Sequence, residues 1–394
     1  MIESRWDIDH MILKEAINWR HWIHMHPELS MQEHKTSAFI RDVLEKYEIP
    51  YVFPAPGTET GIVAWVGDTE KSIGIRTELD ALPISETTDL PFASVNKGVM
   101  HACGHDVHMA ALLGLLVYLK TNNEIPLNAK IVGIFQPSEE KIPGGAKLMI
   151  DAGIIDQFGI QVMLAQHVEP ALPIGTIGVH AGPFMASSDE LYITVHGHSG
   201  HAAQPHKHPN PIIATASIIN YIYKFQIQLH NPTDPFLINL GKICGGTTTN
   251  IIPEQVELAG TIRTFNETTR DNTHTILTRY IPDLAKIYNC KANVHIKKGY
   301  PVLINNSQLC ETLSKSFHKE GFEVVKVPKR MGSDDFAYFS QKVPSFYWRL
   351  GTKSEQNTSQ AYLHSSNLII PDDIIPLAIK SFQVAIETVG TSIS

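Results

Sequence analysis

Between His101 and His108 the chain reads HACGHDVH, with one of four cysteines set two residues from a histidine on either side. Thiolate and imidazole are natural ligands for zinc and similar divalent ions, and residues i and i+2 in a turn can aim into one cleft. Cys103 and His105 are therefore candidate metal ligands, with His101 and His108 competing for the role of His105. The bland alternative is a buried cysteine beside a capping histidine. Further along, QPSEE sets Glu139 and Glu140 side by side after an apolar run. Two adjacent carboxylates there suit a division of labour, one holding metal and the other taking a proton from water as general base. A solvated acidic turn would explain the same residues without chemistry. His167 follows an apolar run in MLAQHVEP, and His364 follows a tyrosine in AYLHSSN. Each of these is a weak signal alone. Together Cys103, His105, Glu140, His167 and His364 exceed the needs of one tetrahedral ion, so a two-metal site becomes plausible.

Other polar loops could serve a substrate. GHSGHAAQPH places His201 among glycines and further histidines. GGTTTNIIP ends a glycine-rich turn with Asn250, a donor for a carboxylate or an oxyanion. Arg263, in GTIRTF, could clamp a carboxylate bidentately, although a strand arginine more often meets solvent or a surface acid. MGSDDFAYF carries two acids in a glycine-containing turn that could line a pocket or cap a helix.

These residues need elements to position them. Asp7 to His26 and Thr36 to Tyr47 read as amphipathic helices, the first stopped by Pro27. Ile62 to Val66, Ser72 to Thr77, Ala129 to Phe135 and Gln161 to Gln166 read as strands, the last ending at His167. Asp106 to Leu119 reads as a helix with Asp106 as its N-cap. This alternation predicts an α/β layer with a mainly parallel sheet, whose strand ends are the usual place for ligands. The middle of the chain changes style. Strand Glu190 to His196, helix Pro211 to Gln228, strands Phe236 to Ile243 and Val256 to Thr264, helix Thr268 to Tyr288 and strand Ala292 to Lys298 follow in the order of a split βαβ, ferredoxin-like motif. The α/β style then resumes, with a helix near Gln308 to Lys319, strands near Val324 and Phe346, and a last helix from Asp373 to Thr388. Residues 184–299 are expected to form a domain inserted into one built from 1–183 and 300–394.

The 394 residues, 43% hydrophobic and 18% charged, describe a globular chain with room for two domains. A net charge of -8 disfavours nucleic acid and anionic membrane as partners. The first residues carry charges throughout and lack the apolar core of a signal peptide, and the best apolar run, Met109 to Leu119, is too short to span a bilayer. A cytoplasmic location is expected. Cys244, Cys290 and Cys310 read as small buried hydrophobes, not as a disulfide framework.

HPELSMQE, RTELDALPI, HACGHDVHMAALLG, FQPSEE, GGAKLMIDAG, GHSGHAAQPH, TNIIPEQVELAGTIRTF, MGSDDFAYF and YLHSS, in this order, resemble the metal-dependent amidohydrolases related to aminoacylase. That family includes hippurate hydrolases, indole-acetyl-amino-acid hydrolases and bacterial N-acyl-amino-acid amidohydrolases. The resemblance runs almost end to end and is specific as an ordered set. It implies a mixed-sheet catalytic domain of zinc-exopeptidase type with an inserted ferredoxin-like lid or dimerisation domain. It implies two divalent ions (zinc, manganese, cobalt or nickel) on Cys103, His105, Glu140, His167 and His364, with Cys103 near or between them. Glu139 falls on the general acid/base, Asp80 on an acid that orients the metal site, and His201 on the lid histidine that stabilises an oxyanion, often from a partner subunit. Asn250 and Arg263 fall on groups that hold a substrate carboxylate. The expected substrate is an N-acyl amino acid, with a dipeptide or an N-acetylated diamino acid as the alternative, and the expected assembly is a homodimer or higher homo-oligomer. A metal- or peptide-binding protein without catalysis is the rival from another class, and Glu139 beside Glu140 argues against it. Glu78 and Asp334 stand where the family commonly has Asp and Glu, changes of one methylene that leave the ligand set intact and bear on substrate shape and metal preference.

Overall fold

Strands and helices alternate as the patterning predicts in the computed structural model, which describes residues 8–54, 58–122, 128–229, 234–354 and 362–393. The chain divides into two compact units. One comprises Met1–Gly182, Ile304–Pro328 and Asp335–Ser394; the other comprises Pro183–Leu303 and Lys329–Asp334.

The first unit is built on an eight-stranded mixed sheet. Its order is Tyr51–Val52, Ile62–Val66, Lys130–Gln136, Ser72–Glu78, Ile160–Pro173, Ser345–Lys353, Thr176–Val179 and Glu323–Lys326. The four central strands run parallel, and antiparallel pairs appear only towards the edges. Strand Ser72–Glu78 is buried along its whole length, as a central strand covered on both faces must be. Helix His105–Thr121 is apolar all round and buried from His105 to Leu119. Such a helix belongs inside a core. It packs between the sheet and helices His10–Met25 and Ile374–Ile393.

Several details differ from the sequence expectation. Cys290 and Cys310 are buried as expected, but Cys244 is exposed, at the end of an edge strand. Asp106 is not the N-cap of its helix. Gly104 takes that place in a left-handed conformation, φ +85°, and Asp106 lies in the first turn. Its carboxylate is buried and accepts from Arg20 Nε at 3.1 Å and from His24 at 3.0 Å. Two charge-assisted bonds in a buried site outweigh one capping bond. His167 does not end its strand. The strand runs on to Pro173 because Ser345–Lys353 stays paired beside it through Gly351 and Glu169. The helix expected over Pro211 to Gln228 is α-helical to Lys224 and then closes with a π turn, Phe225–Leu229. The first helix spans His10–Met25 with Asp9 as N-cap; Asp7 lies outside the described residues.

The second unit holds a four-stranded antiparallel sheet in the order Phe236–Cys244, Gln255–Thr264, Asp189–His196, Lys291–Lys298. Helices Pro211–Lys224 and Glu267–Lys286 bury Ile218, Ile222, Leu277 and Ile281 against it. This is the split βαβ arrangement. The return of Lys329–Asp334 to this unit had no sequence signal; it rests on Arg330, which exchanges backbone bonds with Phe184 and Ala186.

Candidate metal centre and its supports

The glycine of HACGH explains how Cys103 and His105 come to share a cleft. At φ +85° a side chain on Gly104 would be strained, and its Cβ would lie 2.4 Å from Val168 Cγ2. The tight turn therefore needs glycine, and it sets both ligand candidates at the head of the helix. Sγ of Cys103 lies 3.3 Å from Nε2 of His167. Distal His364 is tied to the same loop by its backbone N–H, which donates to the Ala102 carbonyl at 2.8 Å with His364 at φ +66°.

One ligand atom each from Cys103, His105 and His167 fall within 4.8 Å of one another. The same holds for Cys103, Glu140 and His364, and for His105, Glu139 and Glu140. Cys103, His105 and Glu140 each belong to two of these groups. Overlapping groups of this kind suit two neighbouring ions.

The tautomers point the same way. Nδ1–H of His105 donates to the Asp80 carbonyl at 2.7 Å, and that of His167 donates to the Val168 carbonyl at 2.8 Å. In the neutral ring this leaves the Nε2 lone pair for a metal, the usual way a protein fixes a ligating imidazole; burial works against the charge of His105, but the Glu78, Asp80 and Glu140 carboxylates outweigh it and raise its pKa. Nε2 of His105 is buried with no hydrogen-bond partner among the described residues. An orphaned buried lone pair is costly unless something binds it, so the residues present fit a divalent cation. Burial, then the Arg349 guanidinium, pushes His167 well below its ordinary pKa and favours the unprotonated ring. Burial, then the Glu140 and Glu139 carboxylates, pushes the Cys103 thiol up.

His108 and His101, the competitors of His105, are accounted for differently. Val168 N–H donates to His108 Nε2 at 3.1 Å, so the ring carries its proton on Nδ1 and donates to Glu78 at 2.8 Å. With both nitrogens engaged, His108 braces the strand beneath His167. His101 is buried, neither nitrogen has a hydrogen-bond partner among the described residues, and burial takes its pKa down to about 3. Glu78 also pairs with Arg76, which reaches Gln136 and Asp335 in turn. Burial opposes the Glu78 charge, but Arg76, His108 and His105 together hold its pKa well below the ordinary value.

Asp80 organises the acidic turn. Its Oδ1 accepts the Glu139 amide and its Oδ2 the Glu140 amide, each at 2.9 Å, and Ser30 Oγ donates to Oδ2 at 2.6 Å. Glu33, which the sequence reading left without a role, accepts the neighbouring Ser138 amide at 2.9 Å. Gly145 closes the turn on the far side. Its amide donates to the Ser138 carbonyl, and a Cβ there would meet the Pro137 carbonyl oxygen at 1.9 Å. Glu139 is buried, Glu140 half-buried, and Nε2 of His364 stands 3.4 Å from Glu140 Oε1.

The remaining candidates lie in the second unit. Gly200–His201 pairs with Ile251–Ile252, and the Ala202 amide donates to the Asn250 carbonyl at 3.0 Å. His201 and Asn250 are therefore neighbours at one exposed corner. Arg263 is not at that corner. It is half-buried on its strand and donates to Ser333 Oγ at 2.8 Å.

Comparison with known proteins agrees with this chemistry. The model of the peptidase family M20/M25/M40 matches residues 74–388. Thermostable carboxypeptidase 2 of Saccharolobus solfataricus is 36% identical over 373 residues, covering 93% of this chain and 94% of its own. N-acetyl-L-cysteine deacetylase of Bacillus subtilis is 36% identical over 346 residues, covering 87% and 82%. The crystal structure of a dinuclear metal-binding peptidase of the M20 family from Bacillus subtilis superposes with a TM-score of 0.83 at 32% identity, covering 96% of this chain and all of that one. Fold and site together define a metal-dependent amidohydrolase. The chain belongs to the peptidase family M20/M25/M40.

Proposed function

We propose that this protein hydrolyses the amide bond of small N-acyl amino acids, using two divalent ions held by Cys103, His105, Glu140, His167 and His364. The observation that carries the reading is the fixed pair Glu139–Glu140, with both amides seated on Asp80 and the unpartnered Nε2 of His105 beside them. When bound, the ions supply Lewis-acid polarisation of the amide carbonyl and acidify water. Glu139 takes the proton of the attacking water as its oxygen bonds to the amide carbon, then gives it to the nitrogen as the C–N bond breaks. The products are a carboxylic acid and a free amine. Cys103 and the histidines hold the ions; Asp80 keeps Glu139 and Glu140 on their separate tasks.

The deacetylase relative supports a small acyl group such as acetyl. The carboxypeptidase relative supports a second reading, in which the acyl group is itself a peptide. The hippurate type expected from the motifs, with an aromatic acyl group, has no such specific support. Oxyanion and carboxylate contacts from His201, Asn250 and Arg263 belong to the same reading. Substituting each by Ala is expected to raise KM or lower kcat.

Amine release from a panel of N-acetyl and N-benzoyl amino acids and of dipeptides tests the reading. Stripped protein is compared with protein refilled with zinc, manganese, cobalt or nickel. Glu139→Gln is expected to bind metal normally and to lose roughly 10²- to 10⁴-fold in kcat. Normal turnover by that variant would refute the base assignment.

A further inference from the structure

Three successive backbone amides, those of Ser138, Glu139 and Glu140, each donate to a buried carboxylate. Asp80 takes the last two. The first goes to Glu33, which stands just before helix His34–Lys46 and has no exposed surface. Ser138 itself is held at φ +52°, outside the usual region for a residue with a side chain. A left-handed residue in a turn lets consecutive amides converge on an anion. Here the anions belong to the protein, and they come from distant parts of the sequence.

The Glu33 side chain makes no capping bond to its own helix among the described residues. Oε1 accepts Ser138 N–H and Met31 N–H, both at 2.9 Å, and Oε2 accepts Thr60 Oγ1–H at 2.8 Å. Every described bond of this carboxylate fixes its orientation towards the turn that carries the two acids. Burial and the nearby Asp80 charge raise its pKa, so the fold keeps it there against an electrostatic cost. Apolar packing alone would not demand a carboxylate in that place.

We propose that Glu33 is a positioning residue of the reaction: with Asp80 it forms the mould that holds the Ser138–Glu140 turn, and so aims Glu139 at the water and Glu140 at the metal. This rests on the reading of Glu139 and Glu140 given above. The role depends on reach. Glutamine keeps the reach and an oxygen for both amides, and its Nε2 can donate to the Thr60 hydroxyl. Aspartate keeps the charge but is one methylene too short to hold the same bonds.

The test uses the full chain loaded with cobalt(II), whose visible absorption reports ligand geometry independently of turnover. Glu33→Asp is expected to bind cobalt roughly tenfold more weakly or worse, with an altered spectrum, as when other outer supports of metal ligands are removed. Its kcat is expected to fall by about 10²-fold with KM nearly unchanged, and to fall by less when Glu139→Gln is already present, because part of the effect runs through Glu139 and the rest through the metal side of the turn. Glu33→Gln is the conservative rescue and is expected to restore spectrum, affinity and kcat. Wild-type cobalt spectrum and affinity in Glu33→Asp would overturn the proposal, as would failure of Glu33→Gln to rescue. If Glu33→Asp does not fold, Thr60→Val decides. It frees Oε2 alone, and a spectrum and affinity identical to wild type would overturn the proposal. Should the unaltered protein bind cobalt yet release no amine from any substrate, the proposed function fails, while the cobalt measurements still decide the role of Glu33.

Discussion

His105 donates its Nδ1–H to the backbone carbonyl of Asp80 across 2.7 Å. The same residue's carboxylate seats the Glu139 and Glu140 amides. One aspartate thus orients an imidazole by its main chain and both acids by its side chain. Asp80→Asn separates these duties. The carbonyl still holds His105, but the new amide NH₂ faces an amide N–H, and two donors cannot bond each other. Metal affinity is expected to fall by roughly 10- to 100-fold, measured by competition with a chelator. Unchanged affinity and turnover would show that the acidic turn holds itself.

Glu78 tests the one-methylene departure at RTELD. Its two oxygens serve Arg76 and His108, and all three side chains are buried. Aspartate cannot reach both partners from the same backbone position. Glu78→Asp is expected to cost about 1–3 kcal/mol, the usual penalty for a buried polar group left without its partner. Urea unfolding measures it. Because His108 braces Val168 and ligates nothing in this reading, metal stoichiometry is expected to stay the same.

The residues that gather at the candidate site were legible in the sequence by type. Cys103, His105, Glu140, His167 and His364 are of the kinds that ligate metals, Glu139 is a second carboxylate beside one of them, and the fold brings these six within reach of one another. The split βαβ order was legible from strand and helix periodicity. What escaped was set by distant contacts. Glu33 looks like any acid before a helix until Ser138 is seen to bond it. Asp106 looks like an N-cap until Arg20 and His24 are folded against it. His108 was inseparable from His105 by type and spacing, and only the Val168 amide on its Nε2 distinguishes them. Gly104 carried a signal that was available: a glycine between two ligand candidates marks a turn that a Cβ would obstruct.

Self-association through the second unit is expected from its surface. Ile213 is 53% exposed on helix Pro211–Lys224, Ile243 63% on strand Phe236–Cys244, and Ile227 76% on the π turn. Among the described residues that strand pairs on one edge only, and an open edge bearing apolar side chains invites a partner. Sedimentation equilibrium is expected to show a homodimer or larger assembly. Ile213→Asp with Ile243→Asp is expected to leave monomers that still bind metal. A monomeric wild type would remove the dimer from the reading.

Stability should fall with alkaline pH because of His24. Its Nδ1 lies 3.0 Å from Asp106 and its Nε2 3.3 Å from Glu86, with Arg20 and His101 as the neighbouring basic groups. Burial works to lower the His24 pKa, but the Asp106 and Glu86 carboxylates outweigh it and hold the pKa at about 9. In the unfolded chain the value returns to about 6.5. A raised folded pKa means that the native state binds the proton more tightly. The contribution is therefore complete below about pH 6.5 and drains away as pH rises through 9. Its full size is on the order of 3 kcal/mol. Urea unfolding at pH 6.5 and 9.5 is expected to show this loss in wild type and to show little of it in His24→Gln, whose amide bonds one carboxylate but carries no titrating charge. Equal slopes for the two proteins would mean that His24 is not the group being read.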